Sequence, residues 1–289
     1  MMTTEQTTMQ PLQNIRVVTL AINLPGPVAA ARLHEMGARI TKVEPPEGDP
    51  LEKGSPEWYG VLHQGVEVVR LNLKQLSDRT RLDSLLDQTD LLVTATRPAA
   101  LVRLGLSWPE LHARNPRLGH VAIVGYPPPS EELPGHDLNY QARVGLVTPP
   151  DLPRTVLADL AGAQEVVIAA LSLILARERG LGSHYISVSL ADAAVRFSQP
   201  LRYGLTIPGG LLGGGFPGYN VYRTRDGWVA LAALEPHFWL KLAKHLALQS
   251  PTQEQLKLAF QNQTSQEWEI WGVYHDLPIV ALRDAPPNE

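Results

Sequence analysis

The chain has 289 residues, 44% hydrophobic and 19% charged, with a formal net charge of −4 at pH 7. This composition supports a sizeable core and excludes global disorder, and no block of Lys/Arg marks a nucleic-acid footprint. Cysteine is absent, which removes disulfides, thiolate catalysis and Cys-ligated metal sites. The longest apolar run, Val166 to Ala176, is shorter than the ~20 residues a bilayer span needs and fits a buried helix. The opening Met-Met-Thr-Thr-Glu-Gln has neither basic flank nor apolar core and does not read as a signal peptide. A cytoplasmic protein without membrane or nucleic-acid partners is expected.

Residues 1–12 are polar and are expected to form a disordered tail. Ile15–Leu20 reads as a first strand, Val28–Met36 as a helix stopped by Gly37, and Arg39–Val43 as a second strand. That is a βαβ unit with a parallel, right-handed crossover. Val68–Leu73 reads as a strand and Ser77–Asp87 as a helix with Ser77 as candidate N-cap. Asp90–Thr94 and Leu118–Val124 read as strands, with a short helix between them capped by Ser107 and carrying Pro109 in its first turn. A long buried helix is expected over 155–179 and a strand over Ile186–Leu190. Alternation of this kind argues for a Rossmann-like α/β domain with an open parallel sheet over 13–205.

The character changes at the glycine-rich loop Pro208–Gly218. Asn220–Arg223 and Trp228–Leu234 read as a hairpin with a type I′-like turn at Asp226-Gly227, followed by an amphipathic helix over Phe238–Leu248. This is a smaller α+β domain, set at 206–255. The segment 256–289, with a short helix around Ser265–Tyr274 and a strand at Pro278–Leu282, is expected to return to the large domain.

Three stretches combine an ionisable side chain with loop-forming or apolar neighbours. In Pro134-Gly-His-Asp-Leu-Asn-Tyr140, His136 and Asp137 stand before a helix, and a helix start with Asp137 as N-cap and His136 solvated is an alternative to catalysis. In Val156-Leu-Ala-Asp159-Leu-Ala-Gly162 a carboxylate sits among apolar residues near the start of the long helix, where capping is again an alternative. In Ala232-Ala-Leu-Glu235-Pro-His237, Glu235 ends a strand before a proline that opens a helix. The remaining histidines have no metal-ligand spacing, and no metal site is expected. The glycine loop lacks the GxxxxGK[ST] pattern of a phosphate loop and suits a hinge or lid better.

These stretches, in this order, resemble the class III CoA-transferase family, the carnitine and bile-acid CoA-transferase type, which also contains the α-methylacyl-CoA racemases. The resemblance runs over roughly 11–245. It rests on Pro11-Leu-Gln-Asn-Ile-Arg-Val-Val, Leu24-Pro-Gly-Pro27, Gly37-Ala-Arg-Ile-Thr-Lys-Val-Glu-Pro-Pro-Glu-Gly-Asp49-Pro, Arg97-Pro98, Leu104-Gly-Leu106, Asn115-Pro-Arg-Leu118, the GHDLNY stretch and Tyr219–Gly227 followed by Glu235-Pro.

The resemblance implies an acyl-CoA substrate and an intertwined homodimer whose active sites lie between the large domain of one subunit and the small domain of the other. Its transferases use one aspartate as nucleophile, here Asp159. Its racemases use a His, an Asp and a Glu, here His136, Asp159 and Glu235. The catalytic pattern is closest to the racemases: removal and return of the α-proton of a 2-methylacyl-CoA, with Asp137, Asn139 and Tyr140 in support. Coenzyme A enters as part of the substrate, with no separate cofactor. Gln64, Val66 and Glu67 stand where the family carries cations, so CoA contacts are expected from Pro45, Lys53, Gln64 and Arg97, with Arg103 in compensation. A CoA-transferase and a non-catalytic relative with an eroded CoA site are the alternatives.

Overall fold

The computed structural model describes residues 9–283. The chain divides into two units, one ending at Ser198 and the other beginning at Gln199.

In the first unit β1 (Arg16–Thr19), α1 (Pro25–Glu35) and β2 (Arg39–Glu44) form the expected βαβ unit. Helix α1 begins at Pro25, ahead of the expected Val28, because a first-turn proline brings the helical φ and lacks only an N–H that would go unpaired there. Two short helices, α2 (Pro50–Gly54) and α3 (Pro56–Leu62), fill a stretch that carries no helical periodicity; each again starts on proline. Then follow β3 (Glu67–Arg70), α4 (Leu76–Leu86), β4 (Leu91–Thr94), α5 (Pro98–Arg103), α6 (Trp108–Arg114), β5 (Gly119–Val124), α7 (Asp137–Arg143), α8 (Leu157–Glu178), β6 (Tyr185–Ser189) and α9 (Leu190–Phe197). Ser107 caps α6 as expected: the Glu110 carboxylate accepts from its N–H and its hydroxyl. Ser77 does not cap α4, whose N-cap position is Gln75.

The sheet order is β3-β2-β1-β4-β5-β6, parallel throughout. The chain starts in the middle, runs to one edge, and returns to build the other half from β4. At the β1/β4 boundary the connections leave in opposite directions and open a crevice at the C-terminal strand ends. Both faces are covered. Val17, Leu33, Ile40, Val121, Val166 and Ala170 form the core on the α1/α8 side, and Val18, Val43, Leu82, Leu92 and Leu111 form it on the α4/α6 side. Hence every residue of β4 and β5 is buried.

Helix α8 is longer than its central apolar run. By length and composition alone it could cross a membrane, but Ala158, Gly162, Val166, Ala170 and Leu173 place it in the core. A Cβ at Gly162 would lie 2.2 Å from a Leu190 methyl, so the close α8–α9 approach requires glycine there. Of the expected disordered tail, residues 1–8 lie outside the described residues. Leu12 is buried and its N–H donates to the Met36 carbonyl at 2.9 Å, so the ordered chain begins before residue 13.

The second unit holds α10 (Gln199–Arg202), β7 (Tyr219–Arg223), β8 (Trp228–Ala232), α11 (Pro236–His245), α12 (Gln253–Phe260), α13 (Ser265–Tyr274) and β9 (Ile279–Ala281). It corrects the expected boundaries of 206 and 255. The segment from 256 is part of this unit rather than a return to the large one: β9 adds antiparallel to β8, pairing Val280 with Ala230. Phe260 and Trp268 are buried in its core with Tyr222, Val229 and Leu231. The hairpin turn is also different. Neither Asp226 nor Gly227 has the positive φ of a type I′ turn. Side chains hold the loop instead: the Asp226 carboxylate accepts the Ser265 N–H at 2.8 Å, and Thr224 Oγ1 accepts the Gly227 N–H at 3.0 Å.

Candidate active site

A cavity of about 260 Å³ opens in the first unit at the C-terminal strand ends. Ile22 and Asn23 after β1, Ala95 and Arg97 after β4, and Gly125 after β5 line it, together with His136, Tyr140 and Asp159. Two of the three catalytic candidates therefore share one cavity. The third, Glu235, belongs to the second unit. It is the exposed N-cap residue of α11, and its carboxylate has no hydrogen bond or ion pair among the described residues.

His136 is the N-cap residue of α7, in extended conformation, and its N–H donates to Asn139 Oδ1 at 3.0 Å. Asn139 thus fixes the backbone that carries the imidazole. The expected N-cap, Asp137, is instead the first residue inside the helix and is buried. Its Oδ2 accepts from Gln141 Nε2 at 2.6 Å and its Oδ1 accepts the main-chain N–H of Asp159 at 3.1 Å. Among the described residues Asp137 makes no hydrogen bond to the imidazole. It ties α7 to the first turn of α8. Tyr140 is buried edge-to-face against Tyr126, ring centroids 5.1 Å apart. A Cβ at Gly125 would lie 2.4 Å from the Tyr140 hydroxyl, so glycine after β5 gives that hydroxyl its place at the cavity wall. Burial pushes the phenol up to about 12, which keeps it a neutral donor.

Asp159 is the third residue of α8 and only partly buried. Its carboxyl is pushed up to about 7, first by burial and then by the neighbouring Asp137 charge. A carboxyl that titrates near neutral pH can both take and return a proton.

Next to this cavity lies a second, of about 580 Å³, which shares Ile22, Asn23 and Ala95 with it and is lined further by Glu44, Pro45, Leu71, Lys74, Thr96 and Leu104. Lys74 and Leu104 also line a third cavity of about 570 Å³, with Arg79 and Arg103. Arg79 is engaged by Asp83 at 3.0 Å and by the Gly105 carbonyl at 3.0 Å. Lys74 and Arg103 have no ion-pair partner among the described residues and remain available to an anion. Of the expected CoA contacts, Pro45 lines the second cavity, Arg97 lines the reaction cavity instead, and Lys53 and Gln64 line none of the three. Lys74 is the cation that sequence reasoning missed. A single lysine just after the third strand carries no motif, and only the parallel sheet brings it to the crevice. Among the described residues no group of three or more His, Asp or Glu side chains converges as a metal site would.

The family model of CoA-transferase family III matches residues 12–272. The chain is 32% identical over 259 residues to the human α-methylacyl-CoA racemase, covering 83% of this chain and 65% of that protein. It is 32% identical over 207 residues to the acetyl-CoA:oxalate CoA-transferase of Acetobacter aceti, covering 65% of this chain and 53% of that one. The chain thus spans between half and two thirds of the length of these curated relatives. The crystal structure of the hypothetical protein Rv3272 of Mycobacterium tuberculosis superposes with a TM-score of 0.83 at 24% identity, over 95% of this chain and 86% of that one, and shares its fold.

Proposed function

The chain belongs to CoA-transferase family III, and from that premise we propose that it epimerises a 2-methylacyl-CoA, with His136 and Asp159 exchanging the α-proton. The observation that carries this reading is Asp159: its carboxyl, pushed up to about 7, faces the same cavity as His136. One group removes the proton from one face of the α-carbon and the other returns it to the opposite face. Near pH 7 Asp159 is divided between its two forms, so either direction finds the form it needs. The enolate formed on the thioester oxygen is stabilised by amides at the start of α8 and by the neutral Tyr140 hydroxyl. No separate cofactor takes part; coenzyme A is the handle of the substrate.

The CoA nucleotide occupies the second cavity and extends over Lys74 into the third, with its phosphates on Lys74 and Arg103, and the acyl group reaches through the Asn23 junction into the reaction cavity. The protein is a homodimer in which the Glu235 carboxylate, unpartnered in its own unit, serves the partner subunit's Asp159. Sedimentation at micromolar concentration tests this: a single ~32 kDa species would remove that role.

The second reading is CoA transfer with Asp159 as nucleophile. It is favoured by an Asp159 carboxylate that accepts no hydrogen bond among the described residues, and by the likeness to an oxalate CoA-transferase. Proton exchange at the α-carbon separates the two. Epimerisation exchanges that proton with solvent; transfer does not require it, and leaves His136 without a task.

A further inference from the structure

Lys42, Glu44 and Asp49 are 0%, 1% and 0% exposed, and none of them lines the reaction cavity. Lys42 Nζ donates to Asp49 Oδ2 at 2.5 Å, lies 3.0 Å from Glu44 Oε1, and lies 2.9 Å from His63 Nε2. Three acceptors match three ammonium protons. His63 serves as acceptor because its Nδ1 proton is directed to the Tyr59 carbonyl at 2.7 Å, and the Tyr59 hydroxyl donates to Glu44 Oε1 at 2.7 Å. Buried charges of this kind add little net stability over an apolar cluster of the same volume, so their placement points to a task.

The other oxygen of Asp49 shows which task. Asp49 Oδ1 accepts the Leu51 N–H at 2.9 Å, capping α2, and also the Asn23 N–H at 3.0 Å. Asn23 lies in the β1–α1 loop with φ of +68°, in the left-handed region that asparagine adopts more readily than most side-chain-bearing residues. It lines both the cavity of His136 and Asp159 and the neighbouring cavity of Pro45 and Lys74. A carboxylate on a different loop therefore holds the backbone at the junction of the two cavities.

We propose that Asp49, held by Lys42, is a positioning residue: it fixes the Asn23 loop where the two cavities meet and so sets where the thioester stands relative to His136 and Asp159. The effect on substrate rests on the acyl-CoA reading; the hold on the loop does not. Misplacing a reacting group by about 1 Å costs on the order of 10²-fold in rate, whereas the nucleotide contacts at Lys74 and Arg103 are untouched.

Hydrogen–deuterium exchange of a peptide spanning residues 20–27 tests the hold directly in the wild type, in Asp49→Ala, and in the double variant Lys42→Met/Asp49→Ala. The single variant leaves Lys42 paired with Glu44 at 3.0 Å, so no lone buried cation unfolds the protein; in the double variant Glu44 keeps Arg70 Nε at 3.6 Å. Releasing one amide hydrogen bond should speed exchange at Asn23 by about tenfold. Turnover of a 2-methylacyl-CoA should fall by about 10- to 100-fold, while the Kd for CoA stays within about threefold of wild type. Wild-type exchange at Asn23 in a folded variant would overturn the proposal, as would wild-type turnover with the loop released. A purely structural role would lower Tm without this loss of turnover at unchanged CoA affinity. If the wild type binds no CoA but the exchange difference appears, the acyl-CoA reading falls and the hold on the loop stands.

Discussion

The Asp137 carboxylate accepts the main-chain N–H of Asp159 at 3.1 Å, so a buried acidic residue on one helix grips the acidic residue of the next, which lines the cavity. Asp137 thereby locks the first turn of α8 in place, and its charge helps to hold the Asp159 carboxyl at about 7, with burial as the larger cause. Positioning and pKa tuning come from one side chain.

Replacing Asp137 by Asn separates these effects. An amide oxygen can still accept the Asp159 N–H, but the like charge is gone. The Asp159 carboxyl should titrate lower, without returning to the ordinary carboxylate range, because burial remains. The acidic limb of the pH–rate profile should move to lower pH, and Tm should fall, because the new amide nitrogen faces Gln141 Nε2, itself a donor.

Asp159→Asn should abolish both epimerisation and any CoA transfer, since an amide is neither base nor nucleophile at neutral pH. His136→Ala should remove proton exchange alone, by about 10²–10⁴-fold. Stability moves the other way for Asp159. Its pKa is raised from 3.8 to about 7, so the ionised form is disfavoured in the folded state, and the folded protein loses stability as pH rises from about 4 through 7. Removing the charge should therefore raise Tm at pH 8. Calorimetry on the inactive variant reads this.

His120 should contribute to acid stability. It is 1% exposed, hydrogen-bonded to Thr94 Oγ1 at 3.0 Å, and burial pushes it from 6.5 down to about 4. Its neutral form is favoured in the fold, so its contribution is complete above pH 6.5 and is lost as pH falls toward 4. A shift of that size corresponds to roughly 3 kcal/mol. Urea midpoints at pH 7.5 and 4.5 should differ by much less in His120→Phe than in the wild type.

Lys74→Ala and Arg103→Ala should each weaken CoA binding about tenfold or more, the size of a charge-assisted hydrogen bond. The remaining affinity should depend less on salt. Arg97→Ala should act chiefly on turnover, because Arg97 lines the reaction cavity rather than the neighbouring one. Calorimetric titration with CoA at two salt concentrations distinguishes these effects.

The parallel sheet was legible because β4 and β5 are largely apolar, broken only by Thr94 and His120, and alternate with helices. Helices α2 and α3 were not, since proline-started turns of five and seven residues carry no periodicity. Nor was the extent of the second unit, whose closing strand is three residues long and is specified by pairing with β8. At the site, His136 and Asp159 were legible as ionisable groups in unusual surroundings. The role of Asp137 was not, because its partner lies on another helix and only folding joins them. The same holds for Lys42 and Asp49, whose ion pair is a contact between a strand and a loop.

The most direct test is proton NMR of the purified protein with a 2-methylacyl-CoA in deuterated buffer. Loss of the α-proton signal, appearance of both epimers, and no transfer of CoA to an added carboxylic acid are the predicted result. Formation of a new acyl-CoA with the α-proton retained would contradict epimerisation and assign Asp159 the role of nucleophile.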